Sequence, residues 1–181
     1  MENISNLKSK VKQYQRVLEN TIAYRTAWKS QLKDEIINRL TELTEATGLE
    51  ATIEVKEQME NLEAIVLSLG ETKSGLSQKI NAEVQRHLIK HNGSLIYQQL
   101  FNGKVIVLIN YPQIEGYGQP RPPKNIAIYR PEEIKPPFLL RHLEDFMKEV
   151  TNWEDYDDDE PAQRIGFNMN FMAPQGDEAA K

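Results

Sequence analysis

The fold of this chain is decided by residues 1–47, MENISNLKSKVKQYQRVLENTIAYRTAWKSQLKDEIINRLTELTEAT, which contain neither glycine nor proline. Apolar residues recur here with the 3.6-residue period of an α-helix, at Ile4, Leu7, Val11, Tyr14, Leu18, Ile22, Leu32, Ile36, Leu40 and Leu43. Gly48 supplies a C-terminal stop signal. A helix of this length spans about 70 Å, whereas the remaining residues predict a globule about 35–40 Å across. The helix must therefore project and find a partner, or fold back on itself.

The helical stripe is interrupted near its middle. Arg25 and Lys29 occupy stripe positions, and Tyr24 and Trp28 belong to a second apolar face beside it. Either the middle of the helix is buried on two sides by different partners, or the chain breaks near residues 25–30 into an antiparallel pair. No turn residue supports a tight hairpin there, so we expect a continuous or kinked helix that changes its partner near Trp28.

Residues 48–153 are predicted to form an α+β core domain. Apolar spacing predicts a helix over about 76–90 and a last helix that begins at Pro136-Pro137, while Asn102-Gly103 marks a tight type I′ hairpin. Apolar alternation or continuous apolar runs predict strands at 51–56, 62–69, 94–101, 104–111 and 125–130. The predicted class is α+β: a largely antiparallel sheet of five or six strands with helices packed on it, preceded by a long N-terminal amphipathic helix.

Residues 154–181 are interpreted as an acidic linker and tail. Residues 154–160 hold six acids and no base, and they begin like a calcium-binding loop that lacks its glycine. Strict alternation predicts a terminal strand over 164–172, with its apolar positions at Ile165, Phe167, Met169 and Phe171. This strand either belongs to the chain's own sheet or adds to the edge of a neighbouring sheet.

Composition excludes several classes of function. The chain has 181 residues, no cysteine and a formal net charge of −5. Disulfides, thiolate catalysis and cysteine-ligated metal centres are therefore excluded, and the negative charge makes nucleic acid an unlikely partner. No apolar run is long enough to span a bilayer, and the N-terminus lacks the layout of a secretory signal. We expect a cytoplasmic protein without a membrane partner.

Charge is unevenly distributed along the chain. Between Ile4 and Lys33 there are seven basic residues and one acid, Glu19, in contrast to the acidic run at 154–160. Two solvated surfaces of opposite sign account for this pattern. Alternatively, the basic helix meets an acidic partner, such as the acidic run of a neighbouring subunit.

Two further stretches resemble site motifs, and each is incomplete. Gly70–Ser77 has the glycine spacing of a phosphate-binding loop, but Leu76 stands where the lysine is needed. His87 and His91 have the spacing that lets two imidazoles on one helix share a metal, and a third ligand would have to be His142 or a distant carboxylate. We therefore predict no cofactor, metal or catalytic residue, and we interpret His142 as a surface residue of the last helix.

The proline- and glycine-rich loop at 111–124 is the best sequence candidate for a functional surface. Loops of this length without regular structure are uncommon in compact domains and often bind something. A pocket beneath it would be lined by polar side chains, which are those of Tyr111, Glu115, Tyr117, Arg121 and Tyr129.

Our leading hypothesis from the sequence is a non-enzymatic interaction module or chaperone-like protein that self-associates through its N-terminal helix, most simply as a dimer. The order helix, strands, helix, strands, helix is similar to that of secretion chaperones that act as dimers, a likeness of architecture alone. The interface candidates are Leu7, Val11, Tyr14, Leu18, Ile22, Tyr24 and Trp28. The alternative is a small-ligand-binding protein or enzyme with a pocket beneath the 111–124 loop. That loop and the 164–172 tail are also candidate contacts for another protein.

Overall fold

The computed structural model describes residues 4–81 and 83–156, and it begins with one long helical unit. Helix α1 spans Ser5–Ala27, a π-helical segment spans Trp28–Leu32, and helix α2 spans Lys33–Thr47. Gly48 ends the unit in the left-handed conformation with φ 67°, which glycine adopts without a Cβ penalty. The predicted long N-terminal helix is confirmed, and it continues through the interval where the sequence allowed a break. The π-helical segment lies where the stripe was interrupted, and such a segment shifts the helical face that follows it.

Eight strands and two more helical elements complete the described chain. The strands are β1 Thr52–Lys56, β2 Ala64–Ser68, β3 Glu71–Lys79, β4 Gln85–His91, β5 Ser94–Gln99, β6 Val105–Asn110, β7 Gln113–Ile114 and β8 Lys124–Tyr129. A 3₁₀ turn at Pro131–Glu133 precedes helix α3, Pro136–Glu154. An antiparallel sheet has the strand order β1-β2-β5-β6-β8, and a smaller sheet has the order β3-β4-β7. The α+β class and the five predicted strands are confirmed.

The helix predicted over 76–90 is wrong, because this stretch forms the antiparallel hairpin of β3 and β4. Apolar residues at every fourth position satisfy both readings: they share one face of a helix and also one face of a strand. In β4, His87 and His91 lie about 13 Å apart along the strand rather than one helical turn apart. Without this helix, the order of elements is no longer similar to that of secretion chaperones.

The core lies between the larger sheet and the two helices α2 and α3, which contact each other. Its buried members include Trp28 and Leu32 of the π-helical segment, Ile36 and Leu40 of α2, and the inward residues of β2, β5 and β6. Alternation puts these strand residues on one face, whereas the second face of the sheet is half-buried. Gln99 is a polar residue inside this core, and its fully buried side-chain amide has no hydrogen-bond partner within the described part of the chain.

Candidate functional site

Helix α1 exposes its apolar stripe to solvent. Every residue from 4 to 19 is exposed, and no residue of α1 is buried. The stripe side chains are 46% to 67% exposed, and they are those of Leu7, Val11, Tyr14, Leu18 and Ile22, which we call the α1 stripe. Since the exposed part has 16 residues, the helix projects about 24 Å beyond its attachment.

The attachment of α1 to the body is local and close. The Arg25 guanidinium donates a hydrogen bond from Nη2 to the carbonyl oxygen of Phe101 at 2.6 Å. Gly103, in the turn between β5 and β6, lies so near the helix that a Cβ atom there would stand 2.7 Å from the Cβ of Tyr24. Its φ of +76° also favours glycine. The second apolar face predicted around Tyr24 is therefore used to dock the helix on this turn.

Trp28 is the first residue of the helical unit that is completely buried. Its indole Nε1 donates to Glu63 Oε2 at 3.0 Å, and Lys33 Nζ donates to the same oxygen at 3.2 Å. Burial acts to raise the pKa of Glu63, but the hydrogen bonds from Trp28 and Lys33 outweigh it and leave that pKa lowered. The Glu63 carboxylate thus stays ionised and joins the helix to the chain just before β2.

These contacts divide the sequence-predicted interface residues into two groups. The α1 stripe is free of the chain's own core and accessible to a partner. Tyr24 is half-buried against the β5–β6 turn, and Trp28 is inside the core, so Trp28 offers no surface to a partner. The helix therefore passes from exposed to buried between Ile22 and Trp28, which is the interval where the sequence pattern changes.

A polar cavity of about 400 Å³ lies beside the 111–124 loop. Among its lining residues are Ser68, His91, Ser94, Asn110, Tyr111 and Arg121. The Arg121 guanidinium stacks on the Tyr111 ring, with 4.1 Å between its carbon and the ring centroid. Two of the predicted loop residues, Tyr111 and Arg121, are thus brought together at one cavity.

The wall of this cavity is fixed to α3 by Glu149. The Tyr111 hydroxyl donates to Glu149 Oε2 at 3.1 Å, and Lys124 Nζ donates to Oε1 at 2.5 Å. Burial raises the pKa of Tyr111, and the neighbouring Glu149 carboxylate raises it further. The hydrogen bond from Lys124 lowers the pKa of Glu149 against the opposing effect of burial. At neutral pH the pair is therefore a neutral phenol beside a carboxylate.

The other loop residues occupy different positions. Glu115 lies with one carboxylate oxygen 3.5 Å from His91 Nε2, while Glu71 lies 2.9 Å from His91 Nδ1 on the opposite side of the ring. Tyr117 borders a smaller cleft against Trp153. Tyr129 is remote from the loop pocket and instead contacts His142.

His142 is buried, so the prediction of a surface residue is wrong. Its two ring nitrogens each lie 3.0 Å from a tyrosine hydroxyl, Nδ1 from Tyr97 and Nε2 from Tyr129. Burial lowers the pKa of His142 to about 4, which keeps the imidazole neutral, and it raises the pKa of Tyr97. A signal was present in the sequence, because His142 lies three residues after Leu139 and four before Phe146 on the apolar face of α3.

No group of three metal-ligating side chains occurs among residues 4–81 and 83–156. Within the same residues, no helix combines the length and the apolar character needed to cross a membrane. The predicted tail strand at 164–172 lies outside the described residues. No known protein family, curated protein or solved structure matches this chain.

Proposed function

We propose that this protein is a non-enzymatic interaction module in which two copies associate through their projecting α1 helices. The observation that carries the proposal is the α1 stripe, an uncovered apolar face on a helix that extends past its own domain. Contiguous exposed apolar surfaces of this kind mark protein interaction sites in soluble proteins.

The spacing of the stripe suits packing against another helix. Ile22 of the α1 stripe lies outside the alternation, but Ile4, Leu7, Val11, Tyr14 and Leu18 follow one another at intervals of three, four, three and four residues. This is the a/d pattern of a coiled coil, whose seam is narrow. A second copy of α1 therefore matches the stripe in shape.

Charge and attachment favour an antiparallel pair. The exposed helix carries its basic residues first, at Lys8, Lys10, Lys12 and Arg16, and its acid, Glu19, comes after them. In a parallel pair the cations of both helices lie at the same level along the axis, which concentrates like charge at one end and is unfavourable. Because each body is attached near Tyr24, an antiparallel pair also puts the two bodies at opposite ends.

The expected dimer is weak. Each α1 stripe residue is about half exposed in one copy, so burying it contributes about 1 kcal/mol, or about 10 kcal/mol for both stripes. Association itself costs roughly 4–15 kcal/mol. Because the smallest cost leaves a net gain of at most about 6 kcal/mol, the dissociation constant should be about tens of micromolar or higher.

Sedimentation velocity over a concentration series of about 5 to 500 µM tests the proposal. The full chain should shift from monomer to dimer, and the variant Val11→Glu/Leu18→Glu should remain monomeric. The matched control, Gln13→Glu/Asn20→Glu, adds the same charge with the same spacing on the opposite side of α1. It should dimerise like the unmodified chain. A monomer at every concentration, or equal behaviour of the two variants, contradicts the proposal.

A second candidate function, small-ligand binding, is favoured by the polar cavity beside the 111–124 loop. Its volume of about 400 Å³ suits a small polar molecule, and the Arg121 guanidinium provides charge for a carboxylate or phosphate. Inorganic phosphate and citrate are suitable probes, with binding followed by the amide resonances of Asn110 and Gln113. Saturable shifts that Arg121→Gln abolishes and Arg141→Gln preserves would support this function. Absence of saturable shifts would contradict it.

A further inference from the structure

The hairpin of β3 and β4 carries an uncovered apolar face. Its two strands pair with each other along their length, and only the end of β4 also pairs with β7. Alternation along β4, continued across the turn by the hydrogen bond from the Ile80 N–H to the Val84 carbonyl oxygen, puts three apolar side chains on one face, and they are those of Leu88, Val84 and Ile80. Ile80 is 62% exposed and Val84 is 47% exposed. We call this surface the hairpin face.

The hairpin face is also basic and is turned toward the end of α3. Arg86 and Lys90 alternate with the same period as Leu88, so they lie on this face. Lys90 Nζ contacts Glu154 Oε1 at 2.7 Å. Because Glu154 is the last residue of α3, the chain beyond it starts beside the hairpin face.

The sequence that follows α3 complements the hairpin face in charge and in apolar pattern. The acids of residues 154–160 come first in the sequence, and they are opposite in charge to Arg86 and Lys90. The alternating apolar residues Ile165, Phe167, Met169 and Phe171 come next, and a strand with this alternation presents all four on one side.

We propose that residues 165–171 of the same chain pack on the hairpin face, with the acidic run held beside Arg86 and Lys90. The eight residues between Tyr156 and Ile165 can span about 28 Å when extended. The distance along β4 from Lys90 to Val84 is about 20 Å, so the segment reaches the whole face. This contact is independent of α1 and of the proposed self-association.

A spin label on the tail tests the contact. The chain has no cysteine, so Asn168→Cys gives a single attachment site, opposite in alternation to the apolar residues. With the oxidised nitroxide, the amide resonances of Ile80, Val84 and Leu88 should lose most of their intensity and recover after reduction. The measurement is repeated in the Val11→Glu/Leu18→Glu background, so that the result does not depend on α1.

Two controls decide the outcome. Adding Phe167→Ser/Phe171→Ser to the labelled chain should restore the hairpin resonances, while a cooperative thermal unfolding transition shows that the domain is still folded. A mixture of isotope-labelled chain without nitroxide and unlabelled chain with nitroxide should show no loss. Loss of intensity in that mixture assigns the hairpin face to a second copy and overturns the proposal. Undiminished resonances in the singly labelled chain overturn it as well.

Discussion

The replacement His142→Phe should remove most of a pH dependence that is built into the core. In the folded protein burial lowers the pKa of His142 to about 4, from its ordinary value of 6.5 in the unfolded chain. Between these pH values the unfolded state binds a proton that the folded state excludes. The free energy of unfolding therefore falls as the pH falls from about 6.5 to about 4, and it levels off below that range.

The replacement changes both the pH dependence of stability and the stability at pH 7, and the structure gives the size of each change. Each pH unit in the window corresponds to about 1.4 kcal/mol, so His142 contributes a fall of about 3 kcal/mol across it. At pH 7 the variant should be about 2–4 kcal/mol less stable, because the buried hydroxyl of Tyr97 and the partly buried hydroxyl of Tyr129 lose their partner. The difference between the two proteins should then shrink by up to about 3 kcal/mol as the pH approaches 4.

Urea unfolding at a series of pH values between 4 and 7.5 measures this difference directly. Glu63 and Glu149 have lowered pKa values, so their protonation at low pH also reduces the free energy of unfolding. This reduction is the same in both proteins. His87→Gln, at an exposed position, is the matched control and should keep the full pH dependence. A constant difference between the original chain and His142→Phe across this range would refute the reasoning.

Three further predictions test how the helical unit and the core are built. Gly103→Ala should cost about 2 kcal/mol more in urea unfolding than Gly116→Ala, since both have positive φ but only Gly103 lies against α1. Leu40→Ala should cost about 2–5 kcal/mol, whereas Leu18→Ala should change the unfolding free energy of the monomer by less than about 0.5 kcal/mol. Equal costs within either pair would contradict the placement of that pair. Gln99→Met should stabilise the protein by about 1–2 kcal/mol by removing an unpaired buried amide, and a lower urea midpoint would contradict this.

Local sequence signals were sufficient to predict the long helix and the strands of the larger sheet. The absence of glycine and proline before Gly48 allowed an uninterrupted helix, and the Asn102-Gly103 pair specified the turn between β5 and β6. Each of these features depends on residues close together in sequence, where backbone preferences and apolar periodicity act directly.

The hairpin of β3 and β4 was missed because spacing by four residues does not distinguish a strand from a helix. The mistake was carried into the interpretation of His87 and His91 as helical neighbours. His142 was misplaced for a different reason: its partners Tyr97 and Tyr129 come from β5 and β8, which are distant in sequence. Only the pairing of those strands and the packing of α3 bring the three side chains together.

The sequence by itself determined that the chain has an N-terminal helix too long for its body and that this helix changes character near Trp28. Both properties follow from composition and periodicity, which are local. The tertiary structure decided which part of the helix is buried, because a helical side chain is buried only where another part of the chain packs against it. The sheet and α3 supply that packing from Trp28 onward, while the α1 stripe extends past them.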